Sequence, residues 1–186
     1  FRNVTGVQTC ALPILSYIDN TDAPSASTSL TLKIDDQGNT GSGGALNNSK
    51  NVTINLTAVN DAPVNTVPGA QTVNEDTVLS FTGANAISIN DVDIGAGTAT
   101  TQVTVSKGTL SITLSGAASI SAGANNSSTL TLTGTQTDLN ATLASLQYKG
   151  NADYNGADSL QMVTNDKGNT GSGGALSRSE EHTSEL

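Results

Sequence analysis

The chain has 186 residues and a formal net charge of −9, with 16 acidic residues against 7 basic ones. So few cations leave no patch for nucleic acid or an anionic membrane surface, and no apolar run approaches the ~20 residues of a membrane helix. Aromatic residues make up 3% of the chain and Trp is absent, so a sugar-binding platform of exposed rings has little to be built from.

The ends stand apart from the rest. Residues 4–14 read VTGVQTCALPI and residues 178–186 read RSEEHTSEL. Opposite strands of one oligonucleotide, resembling a common short-read sequencing adapter, encode these two peptides. Residues 1–14 and 178–186 are therefore set aside as adapter-derived. Cys10 and His182, the only residues of their kinds, go with them. Taking Arg2 and Arg178 from the bases, and Glu180, Glu181 and Glu185 from the acids, leaves five Lys facing thirteen acids. All of those acids but Glu75 are Asp, a good turn residue and hard-cation ligand. A core without His, Cys or Arg, and with one Glu, reads as non-enzymatic.

Taken in order, the remaining chain repeats itself. Gly38 to Leu46 (GNTGSGGAL) recurs letter for letter at Gly168 to Leu176, an offset of 130 residues. Asp36 meets Asp166 and Leu30 meets Leu160; with a shift of one residue, Leu15-Ser-Tyr17 meets Leu146-Gln-Tyr148, and Asp22 meets Asp153. Residues 15–59 are thus the C-terminal part of a first unit, 60–63 a linker, and 64–177 a second, incomplete unit. Val52 to Val59 has no counterpart before the adapter-derived tail, so a missing last strand and exposed sheet edges are expected.

Apolar residues alternate with Ser and Thr in Ser29–Ile34, Val52–Thr57, Gln102–Ser106, Leu110–Leu114 and Thr129–Thr133. This period of two predicts half-buried antiparallel strands. Lys107-Gly108 predicts a tight hairpin, and Pro68-Gly69 a turn. Leu139, Leu143 and Leu146 stand at helical spacing, with Thr137 as the expected cap. The default fold is an all-β, Ig-like sandwich in tandem. Phe81, Tyr17, Tyr148 and Tyr154 are expected to pack in the core or at the base of a unit. Gly41 to Gly44 precedes no capped helix and reads as a strand connection, not a phosphate loop.

Four acidic groups stand out: Asn60-Asp61, Glu75-Asp76, Asp91-Val-Asp93 and Asn165-Asp166-Lys-Gly168. Calcium takes six to eight oxygens from carboxylates, Asn side chains and carbonyls, and an Asp-x-Asp in an irregular loop can turn two carboxylates onto one ion. Any one group alone is better explained as a solvated turn than as a ligand.

Taken together, the order NDAP, VNED, DVD, NDKG resembles bacterial cadherin-like tandem repeats of giant secreted, RTX-type surface adhesins, over residues 15–177. The resemblance implies calcium between units, held by Asn60 and Asp61 of the linker, Asp91 and Asp93, and Asp166. It implies that Glu75 and Asp36 serve other linkers, Glu75 at the far end of its own unit and Asp36 ahead of the first. The chain departs from vertebrate cadherins in Ala62-Pro63, where they carry a further Asn, and in lacking their Leu-Asp-Arg-Glu motif. The implied function is a calcium-stiffened structural and adhesive extender, extracellular or at the cell surface, whose partners are neighbouring repeats and a cell-surface or glycan target. The alternative is a glycan- or protein-binding module without structural calcium.

Overall fold

The computed structural model describes residues 15–22, 24–38 and 41–185, with side chains to residue 183. The chain is all-β apart from one short helix and a single 3-10 turn. In the first unit, β1 (Ser27–Asp35) and β2 (Asn47–Asn55) pair antiparallel over nine positions. Leu30, Leu32, Ile34 and Val52 on this hairpin are exposed. Their backbone groups are satisfied by each other, yet the apolar rows have no sheet to cover them.

The second unit has the core that the first lacks. Its strands are β3 (Val64–Thr66), β4 (Val78–Ser80), β5 (Ser88–Asn90), β6 (Thr98–Thr104), β7 (Gly108–Ser111), β8 (Ser119–Gly123), β9 (Thr129–Thr135), β10 (Gln147–Gly150), β11 (Ala157–Asn165) and β12 (Ser177–Glu185). A five-stranded sheet runs β12-β11-β6-β9-β8, a three-stranded one β4-β10-β7, and β3 pairs β5. Alternation decides which face is buried: Ala99, Thr101 and Val103 on β6, Leu130 and Leu132 on β9, and Leu160, Met162 and Thr164 on β11 all turn inward. The apolar ones join Phe81, Leu110 and Tyr148 from the smaller sheet's side in one hydrophobic cluster. Full burial of a Leu or Met contributes roughly 1.5–3 kcal/mol, so this cluster makes the second unit's core its main source of stability. Where β6 and β11 face inward with hydroxyls, Thr101 and Thr164 pair with each other at 3.2 Å.

The helix α1 (Gln136–Leu143) follows β9 directly and buries Leu139, Thr142 and Leu143. Its cap lies two residues earlier than expected. Thr135, not Thr137, is the N-cap, its hydroxyl accepting from the Asp138 N–H at 3.2 Å. Leu146, past the last turn, is fully buried as the spacing predicts.

Two expectations need correction. Lys107-Gly108 is not a hairpin, because β6 and β7 lie in different sheets. The crossing is set by Asp158, whose carboxylate accepts from Ser106 N at 3.0 Å and Lys107 N at 2.8 Å. A Cβ on Gly108 would come within 2.4 Å of the Tyr148 ring, so only glycine fits there. The edge of β11 is not open either. β12 pairs with it from Ala157↔Glu185 to Asn165↔Ser177, 130 residues on from β2. A ladder needs only N–H and C=O groups, so a tail without strand-like alternation can occupy the last strand's place. Its side chains fit less well: half-buried His182 lines a small cavity with Val67, Phe81 and Leu160, where the first unit has Val52.

Candidate metal centre

The centre lies where the linker meets the second unit, and α1 is one of its supports. Gln136 and Asn140 are one helical turn apart and so share a face. Asn140 accepts from Ile89 N at 2.8 Å and donates to Ile89 O at 2.9 Å. Gln136 accepts from Asp91 N at 2.8 Å. The helix thus clamps the end of β5 much as a neighbouring strand would, and fixes the start of the Asp91 loop. Within that loop Asp91 Oδ1 accepts from Asp93 N at 2.9 Å and Ile94 N at 3.2 Å.

The Asp166 loop approaches from the end of β11. Asp166 Oδ1 accepts from Gly168 N at 2.8 Å and Leu176 N at 2.7 Å. The turn needs two left-handed residues, Lys167 at φ 61° and Gly168 at φ 66°, which is why glycine is useful there. Asn169 then donates to Thr98 O at 2.8 Å, and the Thr170 hydroxyl donates to Asp93 O. The two acidic loops are stitched to each other.

The linker closes the arrangement. Val59 forms a parallel bridge with Ser172; Asn60 N donates to Ser172 O and Ser172 N to Ala58 O, both at 2.9 Å. The Asn60 amide donates to Asp166 Oδ2 at 2.6 Å and to Gly174 O at 3.0 Å. Asp61 N donates to Asp93 Oδ2 at 2.5 Å. Buried Pro63 then leads into β3.

Each carboxylate has one oxygen held by backbone N–H groups. The other oxygens are where the chemistry lies. Asp91 Oδ2, Asp93 Oδ1 and Asn60 Oδ1 are buried without a hydrogen-bond partner, and Asp166 Oδ2 is met only by the Asn60 amide. Asp91, Asp93 and Asp166 are 7%, 3% and 1% exposed. Among the described residues the ion pair is Arg178–Glu180, and none of the three acids has a cationic partner. Burying unpaired charge is strongly unfavourable. Burial accordingly raises the Asp91 pKa, offset in part by the Asp93 and Ile94 N–H groups and reinforced by the charges of Asp166 and Asp93. The residues fit a hard cation: three buried oxygens without a partner, a fourth, Asp166 Oδ2, met by the Asn60 amide, and no Lys or Arg among the described residues paired with these acids. They are not yet gathered as a cage, since no group of three or more His, Cys, Asp or Glu among the described residues is arranged to hold a metal ion.

The structure brings together Asn60, Asp61 (through its backbone), Asp91, Asp93 and Asp166. The exposed Asp61 side chain lines a cleft with Asp19 and Asp22 of the first unit. Glu75 does not join them. It sits in an exposed turn before β4, and the pairing Val78↔Lys149 beside Gly150↔Gly108 places that turn at the end of the unit opposite Asp166. Asp36 lies in the first unit, accepting from Gly38 N at 2.9 Å and Leu46 N at 2.7 Å. These backbone bonds lower its pKa. Sequence reasoning missed Gln136, Asn140, Asn169, Thr170 and Asp19. The exact recurrence of Asn-Thr at 169–170 was the signal for two of them; for the helix pair there was none.

A family model described as Protein GAMETE EXPRESSED 2 domain matches residues 80–172. No curated protein and no solved structure matches the chain. This corrects the resemblance to bacterial cadherin-like repeats, for neither a cadherin nor an RTX family is detected. The matched stretch contains the Asp91 loop, α1 and Asp166, and ends at Ser172, the residue that receives the linker. Among the described residues no helix is long and apolar enough to cross a membrane.

Proposed function

We propose, for this chain, which belongs to the Protein GAMETE EXPRESSED 2 domain family, the role of a structural and adhesive spacer whose joint between β units is stiffened by calcium. The observation that carries this reading is the set of buried oxygens on Asn60, Asp91 and Asp93 that have no hydrogen-bond partner, beside Asp166 Oδ2, which the Asn60 amide meets. They are buried at the junction of linker and unit, and among the described residues no Lys or Arg pairs with them. Those four residues would hold the ion, with Asp61 on the linker side. Its charge would offset the mutual repulsion of the acids and tie the linker to both loops.

The two sheets and their shared core are read as an Ig-like sandwich, joined end to end with neighbouring repeats. Calcium sites in extracellular modules are weak, with Kd on the order of 10⁻⁴–10⁻³ M, so such a joint would be stiff outside the cell and loose before export. Adhesion to a cell-surface target would then rest on the reach that stiff joints give.

Calorimetric titration with calcium, on the chain and on an Asp91→Ala, Asp93→Ala variant, tests the site. Saturable heat in the parent and none in the variant is the expected result. Equal heats would overturn it. Small-angle scattering tests the stiffening: dimensions that are the same in chelator and in calcium would leave the ion without the proposed role.

A further inference from the structure

The loop that receives the linker exists twice. In the second unit, Ser172 exchanges two backbone hydrogen bonds with the Ala58–Asn60 segment, and Gly174 O accepts from the Asn60 amide. Gly171 lets that segment close in, since a Cβ there would lie 2.5 Å from Asn60 N. The first unit carries the same residues at Gly41, Ser42 and Gly44.

The backbone is the same too. Gly41, Gly43 and Gly44 have φ of 101°, 137° and 76°, against 95°, 129° and 75° at Gly171, Gly173 and Gly174. The brace beneath is repeated, with Asp36 N donating to Leu46 O at 3.0 Å and Asp166 N to Leu176 O at 3.1 Å. What differs is the occupant. Residues 41–46 are exposed, and a Cβ on Gly41 would meet nothing within 4 Å. Among the described residues no backbone bond to Ser42 matches those of Ser172.

We propose that residues 41–46 form a docking site for an extended Ala-Val-Asn segment of the kind at Ala58–Asn60, supplied by the linker of another β unit. The occupant's chemistry follows from the second loop, where the same surface already holds such a segment. The segment would lie parallel to Ser42, exchange two backbone bonds with it, and place an Asn amide on the Gly44 carbonyl. Backbone bonds and an amide suffice for this contact, so it does not rest on the calcium reading. It does predict a directional, head-to-tail order, because the donor segment follows one unit and the acceptor loop belongs to the next.

The test is an amide-shift titration of the full chain in chelator with the peptide TAVNDAP. In the second loop this segment is tethered, and a short tether is worth an effective concentration in the millimolar range. Saturable shifts of the Gly41 to Leu46 amides by ~10 mM peptide are therefore expected. A peptide with Ala in place of its Asn should bind about tenfold more weakly, the loss of one to two net hydrogen bonds. Unmoved amides at residues 41–46, movement confined to Gly171–Gly174, or equal binding of the two peptides would each overturn the proposal.

Discussion

The Asn60 amide donates to Asp166 Oδ2 at 2.6 Å across 106 positions of chain. This bond joins the linker to the far end of β11, and both partners are buried. Asn60→Ala leaves Asp166 Oδ2 without a partner, and such a loss costs about 1–3 kcal/mol. Asn60→Asp is expected to be worse in chelator, because it sets a fourth carboxylate beside Asp166 and removes the donor. Calcium should reverse that order, restoring Asn60→Asp more than Asn60→Ala. Melting curves of both variants, with and without calcium, check this. Asn60→Asp melting above Asn60→Ala in chelator would contradict it.

Asp91 gives the metal-free joint a pH dependence of unusual sign. Burial raises its folded pKa, so folding favours the neutral acid over the carboxylate. Its contribution is complete below the ordinary aspartate pKa of about 3.9 and is lost as pH rises through the raised value. Asp36 works in the opposite sense. Its pKa is lowered by the Gly38 and Leu46 N–H groups, so its small contribution, at an exposed site, is lost on acidification. In chelator near neutral pH, Asp91→Asn is expected to melt above the parent, with the gap closing toward about pH 4. The Asn side-chain oxygen still serves Asp93 N and Ile94 N. Calcium should stabilise the parent and not the variant. An Asp91→Asn protein that melts lower at neutral pH in chelator would exclude this account.

The all-β class was legible in the sequence, because alternation is a local signal; that the Asp91 and Asp166 loops would meet the linker was expected only from the order of the acidic groups. Sheet membership was not legible. Lys107-Gly108 has the residues of a hairpin, yet Asp158, fifty residues on, draws Ser106 and Lys107 N–H groups toward β11 and sends the chain to the other sheet. Nor was the clamp of α1 on β5 legible. Gln136 and Asn140 are ordinary polar helix residues until tertiary packing brings the ends of Ile89 and Asp91 within reach. The tail misled for a different reason. It was set aside as adapter-derived and no last strand was expected there, but an unpaired β11 edge is a strong enough template to hold a strand without alternation.

Asp158 is the hub of the end remote from the linker. Its carboxylate accepts from Ser106 N, Lys107 N, Ser159 N and the Tyr148 hydroxyl, the last at 2.9 Å. The repeat offers no hint of this, since the position matches Thr28 in the first unit. Hydrogen bonds to a charged group are worth roughly 1.5–3 kcal/mol each, so Asp158→Ala should cost at least about 3 kcal/mol. Burial raises the Tyr148 pKa well above its usual value, and the bond to Asp158 and its charge raise it further. In a Tyr17→Phe, Tyr154→Phe background, Asp158→Asn is expected to bring the phenolate titration of Tyr148 down toward the ordinary range. An unmoved midpoint would show that Asp158 has no hold on the ring.

The last strand offers a test of how far backbone pairing alone supports an edge. β12 keeps a full nine-position ladder with β11, but it sets His182 in the wall of a small cavity shared with Val67, Phe81 and Leu160. The equivalent residue of β2 is Val52. Replacing a half-buried imidazole with a β-branched aliphatic side chain gains apolar burial and suits the strand. His182→Val should therefore stabilise the second unit by about 1 kcal/mol. Substituting the whole of residues 178–186 with the sequence of 48–56 should add more, since it restores alternation along the strand. Denaturant midpoints at unchanged slope would measure both gains. Equal stability of the parent and the graft would mean that the β11 edge draws its strength from the backbone ladder alone, with no contribution from the side chains laid across it.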